Sequence, residues 1–126
     1  MALNQSQTWG ELLPVFPVTS SGGALSIDLS AARVFSLILT ENVGAFTITQ
    51  VPPLTAQASV QFVLYAKQDA TGGYLITWPG SVTWLGGSAP AQSTAAFAVD
   101  VYEFISFNGT SWYGSKRTAT FRALIS

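Results

Sequence analysis

The chain has 126 residues and a net charge of −1, with 48% hydrophobic but only 9% charged residues, and neither histidine nor cysteine. That length suits one domain, and the two missing residue types exclude disulfide staples, Ser-His-Asp and Cys-His catalysis in their usual forms, and the usual zinc sites. Lys116, Arg117 and Arg122 are the only approach to a basic cluster, far short of the footprint of a nucleic-acid binder.

The first residues, Met1-Ala2-Leu3-Asn4-Gln5-Ser6-Gln7, lack the basic-then-apolar profile of a signal peptide. The chain is therefore expected to be made in a cytoplasm and to leave it, if at all, without secretion. No apolar run is long enough to span a bilayer as a helix. Next comes Leu12-Leu13-Pro14-Val15-Phe16-Pro17-Val18, whose two prolines bar it from a central strand. It reads as an extended arm or an edge strand. Residues 1–23 are thus expected to form an attachment segment, with Leu12, Val15 and Phe16 as anchors on a neighbouring subunit. Wrapping around its own domain is an equal alternative.

From residue 24 to 126 the pattern is that of a single domain with a period of two. Leu25, Ile27 and Leu29 alternate with Ser26, Asp28 and Ser30, and Phe46 and Ile48 with Thr47 and Thr49. Val34–Leu39 is apolar on both faces, as expected of a central strand covered on each side. Val60, Phe62 and Leu64 form a further row, and Tyr74, Ile76 and Trp78 another. Val99, Val101, Ile105 and Phe107 form an apolar row interrupted by Glu103, opposite Asp100, Tyr102, Phe104 and Ser106. Glu103 must be paired there or face an interface. Phe121, Ala123 and Ile125 read as a last strand.

Turn signals separate these runs at Ser21-Gly22-Gly23, Glu41-Asn42-Val43-Gly44, Pro52-Pro53, Asp69 to Gly73, Pro79-Gly80, Gly86-Gly87 with Pro90, and Asn108-Gly109. Asn-Gly predicts a type I′ hairpin, because both residues tolerate positive φ. Residues 104–107 should then pair antiparallel with 110–113. Seven to nine short strands imply an all-β fold, specifically an antiparallel, jelly-roll-like β-sandwich.

The carboxylates offer little chemistry. Asp100 and Glu103, three apart on one strand, fall on opposite faces and cannot act as a pair. Asp69 opens a turn, where an Asx hydrogen bond to the backbone two residues on is its expected task. No catalytic, cofactor-binding or metal-binding residue is assigned, and an enzyme is not expected. Trp84, Trp112 and Tyr113 stand near glycine turns and are candidates for stacking on a sugar ring, while Trp78 shares a face with Ile76 and Tyr74 and reads as core. The scarcity of charge has a consequence of its own. A folded surface of about 6,500 Å² carrying eleven charged side chains has little electrostatic protection from association.

The series Gln68-Asp69-x-Thr71-Gly72-Gly73, Ile76-Thr77-Trp78-Pro79, Val82-x-Trp84-x-Gly86-Gly87-x-Ala89-Pro90, Asp100-Val101-x-x-Phe104 and Trp112-Tyr113-Gly114 resembles a small β-structured module of tailed bacteriophages. That module occurs in tail fibres, baseplate-associated proteins and head-surface proteins. The resemblance runs from about Val34 to Gly114. It implies a virion structural role, made in the host cytoplasm, with capsid or tail subunits as partners. It further implies trimeric association in many relatives, contact with host polysaccharide in some, and no catalytic residues. The short chain and the strand expected after Gly114 favour a capsid decoration or knob protein on this reading, with a carbohydrate-recognising fibre or baseplate tip as the alternative. Neither nucleic acid nor membrane is expected as a partner.

Overall fold

A computed structural model describes residues 14–117. Its eight strands are β1 (Val15–Val18), β2 (Ala24–Asp28), β3 (Val34–Leu39), β4 (Ala45–Thr49), β5 (Val60–Gln68), β6 (Val82–Trp84), β7 (Val99–Ser106) and β8 (Trp112–Arg117). They build a six-stranded sheet in the order β1-β3-β5-β7-β8-β6 and a two-stranded sheet, β2-β4. The all-β expectation holds. The strand expected around Phe121, Ala123 and Ile125 lies outside the described residues, as does Leu12.

The sheets are mixed, which corrects the antiparallel expectation. β1–β3, β3–β5, β2–β4 and β6–β8 pair in parallel, and only β5–β7 and β7–β8 are antiparallel. The cause is the path of the chain. From β1 to β5 successive strands alternate between the large and the small sheet. Each return to a sheet therefore runs in the direction of the previous visit. Side-chain alternation says which face is buried, not which strand is next door.

Both sheets feed one core. Leu25, Ile27 and Phe46 from the small sheet cluster with Phe35, Leu37, Leu39, Phe62, Leu64, Tyr102, Phe104, Trp84 and Trp112 from the large one. Phe104 is its hub: its ring lies 4.8 Å from Phe62, 5.6 Å from Trp78 and 5.7 Å from Trp84. On β7 the buried row is Asp100, Tyr102, Phe104 and Ser106, the reverse of what the Val99–Ile105 row suggests. The large aromatic rings win the interior because they bury the most apolar area. Val34–Leu39 is likewise covered on one face only among the described residues, with Ile38 exposed.

Glycine explains part of the motif pattern. A Cβ on Gly114 would sit 2.8 Å from the Trp84 ring and 3.1 Å from Phe104. Gly114→Ala is expected to overpack the core and cost about 1–3 kcal/mol, read from urea midpoints. An unchanged midpoint would show that the rings give way freely. At Gly72, φ is +72° and a Cβ would approach the Thr94 carbonyl oxygen to 2.5 Å, so only glycine fits there.

Two further expectations meet side-chain chemistry. The segment with Tyr74, Ile76 and Trp78 makes one isolated bridge, Val43 to Ile76, and is no strand. Its backbone is held by amide side chains instead. The Leu75 N–H donates to Asn42 Oδ1, the Ile76 N–H to Gln92 Oε1, and Gln92 Nε2 to the Ile76 carbonyl. Gln68 holds Tyr74 in the same manner from within β5. The hairpin between β7 and β8 does form, with Ile105 opposite Tyr113. Its turn is not type I′, because only Gly109 has positive φ. The Asn108 side chain instead accepts from the Thr110 and Ser111 amides across residues 107–111. Asp69 does accept from the Thr71 and Gly72 amides, as its position predicts.

Candidate interaction surface

The candidate residues scatter. Leu12 is outside the described residues. Val15 and Phe16 lie on β1, the edge strand, built into the domain's own sheet and yet 57% and 45% exposed. Phe16 rests edge-on against Phe35. Trp84 and Trp112 are buried, at 9% and 2% exposure. Trp84 contacts Trp78 and Phe104, and Trp112 contacts Phe62. Their faces are used by other rings, so Trp84, Trp112 and Tyr113 form no common exposed platform. Tyr113 alone is at the surface, with Phe107 beside it at 6.1 Å.

What the alternation of β3, β5, β7 and β8 leaves outward is one broad sheet face. By register its rows read Val34–Val63–Glu103–Ser115, then Ser36–Tyr65–Val101–Arg117, then Ile38–Lys67–Val99, with Gln61–Ile105–Tyr113 at the opposite end. Towards β1 and the Ile38 end the face is apolar, and Ile38, Tyr65 and Val99 are exposed. Lys67 lies over the ring of Phe97, also exposed, at this end. Parallel strands such as β1, β3 and β5 normally have both faces covered. No described residue covers this one.

Towards β8 the same face becomes concave and sets Gln61, Glu103 and Ser115 among apolar side chains. One hollow of about 350 Å³ is lined by Arg33, Val34, Gln61, Phe62, Val63 and Glu103. A second, about 150 Å³, adjoins it at Gln61 and Glu103 and reaches Leu85, Tyr113 and Ser115. Glu103 is ion-paired with Arg117, which settles its place in an otherwise apolar row. Arg33 donates to the Leu29 and Ala32 carbonyls at the rim. A third hollow, between β4 and the 107–111 loop, has Phe46, Pro79 and Trp112 in its lining, two of them core rings.

The other carboxylate on β7 points inward. Asp100 accepts from the Ser93 amide at 2.7 Å, the Ser93 hydroxyl at 2.8 Å and the Tyr102 hydroxyl at 3.1 Å, and Lys116 Nζ lies 3.2 Å away. Lys116 also donates to the Ala91 carbonyl. Burial works to raise the Asp100 pKa, but the Ser93 and Lys116 contacts outweigh it and hold the carboxyl below the usual range. The Tyr102 hydroxyl is pushed up, by burial first and by the Asp100 charge beside it second. The cluster clasps the 85–98 connection onto the sheet. Sequence reading missed it because Ser93 and Lys116 are remote from Asp100 in the chain.

Among the described residues no three acidic, histidine or cysteine side chains gather as a metal site would require, and no helix is long and apolar enough to cross a membrane.

Fold and surface together define a class: a β-structured module with one sheet face that no described residue covers. The family follows from comparison. Residues 20–112, about three quarters of the chain, match the model of the family described as "Putative phage tail fibre C-terminal domain". The chain belongs to this family and is a structural component of a phage virion. Neither the curated proteins nor the solved structures include a significant match.

Proposed function

We propose that this chain serves in a tail fibre, as an architectural module packed among neighbouring copies or other tail subunits, and that it is neither a capsid decoration nor an enzyme. The match to a tail-fibre family over residues 20–112 carries the reading. The apolar part of the outer face supports it, since Ile38, Tyr65 and Val99 are exposed together on a sheet of low charge. A homotrimer made in the host cytoplasm and incorporated without secretion is the assembly proposed, with the β1 residues Val15 and Phe16 at the margin of its contacts.

Mass photometry of the purified chain, with antibody labelling of intact virions, tests this. The expected result is an oligomer in solution and label on the tail. The double variant Ile38→Glu/Val99→Glu, at two exposed positions that flank Lys67, should keep its stability within about 0.5 kcal/mol per site yet lose oligomerisation and incorporation. A monomeric wild type, or label confined to the head, would overturn the proposal.

A further inference from the structure

We propose that β4 presents an open strand edge that takes up an uncharged, extended segment of another virion polypeptide, so that the two-stranded sheet gains a further strand. The ladder fixes which backbone groups are spare. The Ala45 N–H donates to the Gly23 carbonyl, and the Leu29 N–H to the Thr49 carbonyl. With Ala24 opposite Ala45 and Asp28 opposite Thr49, the parallel pattern makes Ala45, Thr47 and Thr49 the residues bonded to β2. Phe46 and Ile48, between them, turn their N–H and C=O groups the other way. Neither makes a hydrogen bond to another described residue on that side. Phe46 is 4% exposed, and unpaired backbone groups are costly in so covered a place.

The other edges among the described residues are blunted. On β2, Ala24 exchanges both of its bonds with Ser21, the Asp28 carbonyl accepts from Ala31, and the strand ends on the Asp28 carboxylate. β1 carries Pro17, and β6 has three residues. Proline, charge and brevity are the usual protections of an edge, and β4, Ala-Phe-Thr-Ile-Thr, has neither proline nor charge. The walls select the occupant. Beside this edge, on the side away from β2, lies the hollow of about 270 Å³ between β4 and the 107–111 loop. Ile48, Val51 and Pro79 give it apolar walls, Ser81 and Thr110 add hydroxyls, and no charged side chain lines it. A charged segment would find no counter-ion there. The volume falls below the roughly 300 Å³ at which small-molecule sites begin, whereas spare donors and acceptors at strand spacing match a peptide backbone. On such a segment every second side chain enters the hollow and is apolar, and the others stand beside the exposed Thr47 hydroxyl.

This edge belongs to the small sheet, so the inference does not rest on the packing proposed for the outer face of the large one. The test probes the full-length chain against an array of overlapping peptides tiled through the other structural proteins of the virion, with amide hydrogen exchange as a second readout. Binding should concentrate on uncharged peptides with alternating apolar residues. In the free chain the Phe46 and Ile48 amides should exchange fast, and a bound peptide should slow them. Methylating alternate backbone nitrogens of the peptide in one register should weaken binding at least about tenfold, the scale of one or two lost hydrogen bonds. Methylating the other register should leave it unchanged. Thr110→Arg, at an exposed position on the rim, should weaken binding without moving the melting curve. An array that binds nothing overturns the inference, as does binding indifferent to the register of methylation or to Thr110→Arg. Phe46 and Ile48 amides already protected in the free chain overturn it too. Protection at every concentration would assign the edge to a segment of the same chain, and protection that grows with concentration to a second copy.

Discussion

Phe104→Ala should lower the stability of the domain by about 3–5 kcal/mol, the range for emptying an aromatic site in a packed core. The position is 1% exposed, and its ring meets those of Phe46, Phe62, Trp78, Trp84 and Tyr102. These neighbours come from β4, β5, β6, β7 and the 69–81 connection. The four on strands cannot move into the hole without leaving their own register. A loss of that size is a large share of the roughly 5–15 kcal/mol that holds a typical domain together. Urea denaturation followed by tryptophan fluorescence measures it directly, because Trp78 and Trp84 flank the site. A loss under about 1 kcal/mol would mean that the aromatic cluster repacks and is not the centre of the fold.

Asp100→Ala should be comparably damaging, at about 3–5 kcal/mol, because it strands a partly buried cation. Lys116 would keep its place beside β7 with no carboxylate, and the Ser93 amide and Tyr102 hydroxyl would lose their acceptor. The same carboxyl gives a pH signature. Its folded pKa lies below the unfolded value. Its contribution is therefore complete above the ordinary aspartate range near pH 4 and is lost as pH falls through the folded value. Acid titration of stability should steepen below about pH 4 in the wild type and flatten in Asp100→Asn. Asp28, held low by the Ser30 hydroxyl and amide, keeps part of the acid dependence in both. An identical acid limb in the two proteins would show that Asp100 is not the group responsible.

These two residues also mark how far reading the chain in one dimension reaches. Asp100 and Glu103 are separated onto opposite faces by strand periodicity alone, and the structure agrees. Their partners, Lys116 and Arg117, are consecutive residues on β8 that take opposite faces for the same reason. Pairing each acid with its base requires the β7–β8 register, which the Asn108-Gly109 turn signal places correctly in outline. The turn itself differs because the Asn108 side chain caps the loop amides. Trp84 and Trp112 look available beside glycine turns, yet Gly114 lacks a Cβ so that the Trp84 ring can approach the β8 backbone closely. The glycine there marks burial of the ring, not its exposure.

By itself the sequence determined the class of the fold, the positions of most strands, the separation of the β7 acids, the Asp69 turn and the scarcity of charge. All of these are set within a few residues of chain, by alternation, turn chemistry and composition. Only the tertiary structure decided the parallel pairings, the inward face of β7, the amide-held segment around Ile76, and the meeting of Gln61, Glu103, Tyr113 and Ser115 on one open face. Those depend on which distant strands become neighbours, and a period of two looks the same whatever lies alongside.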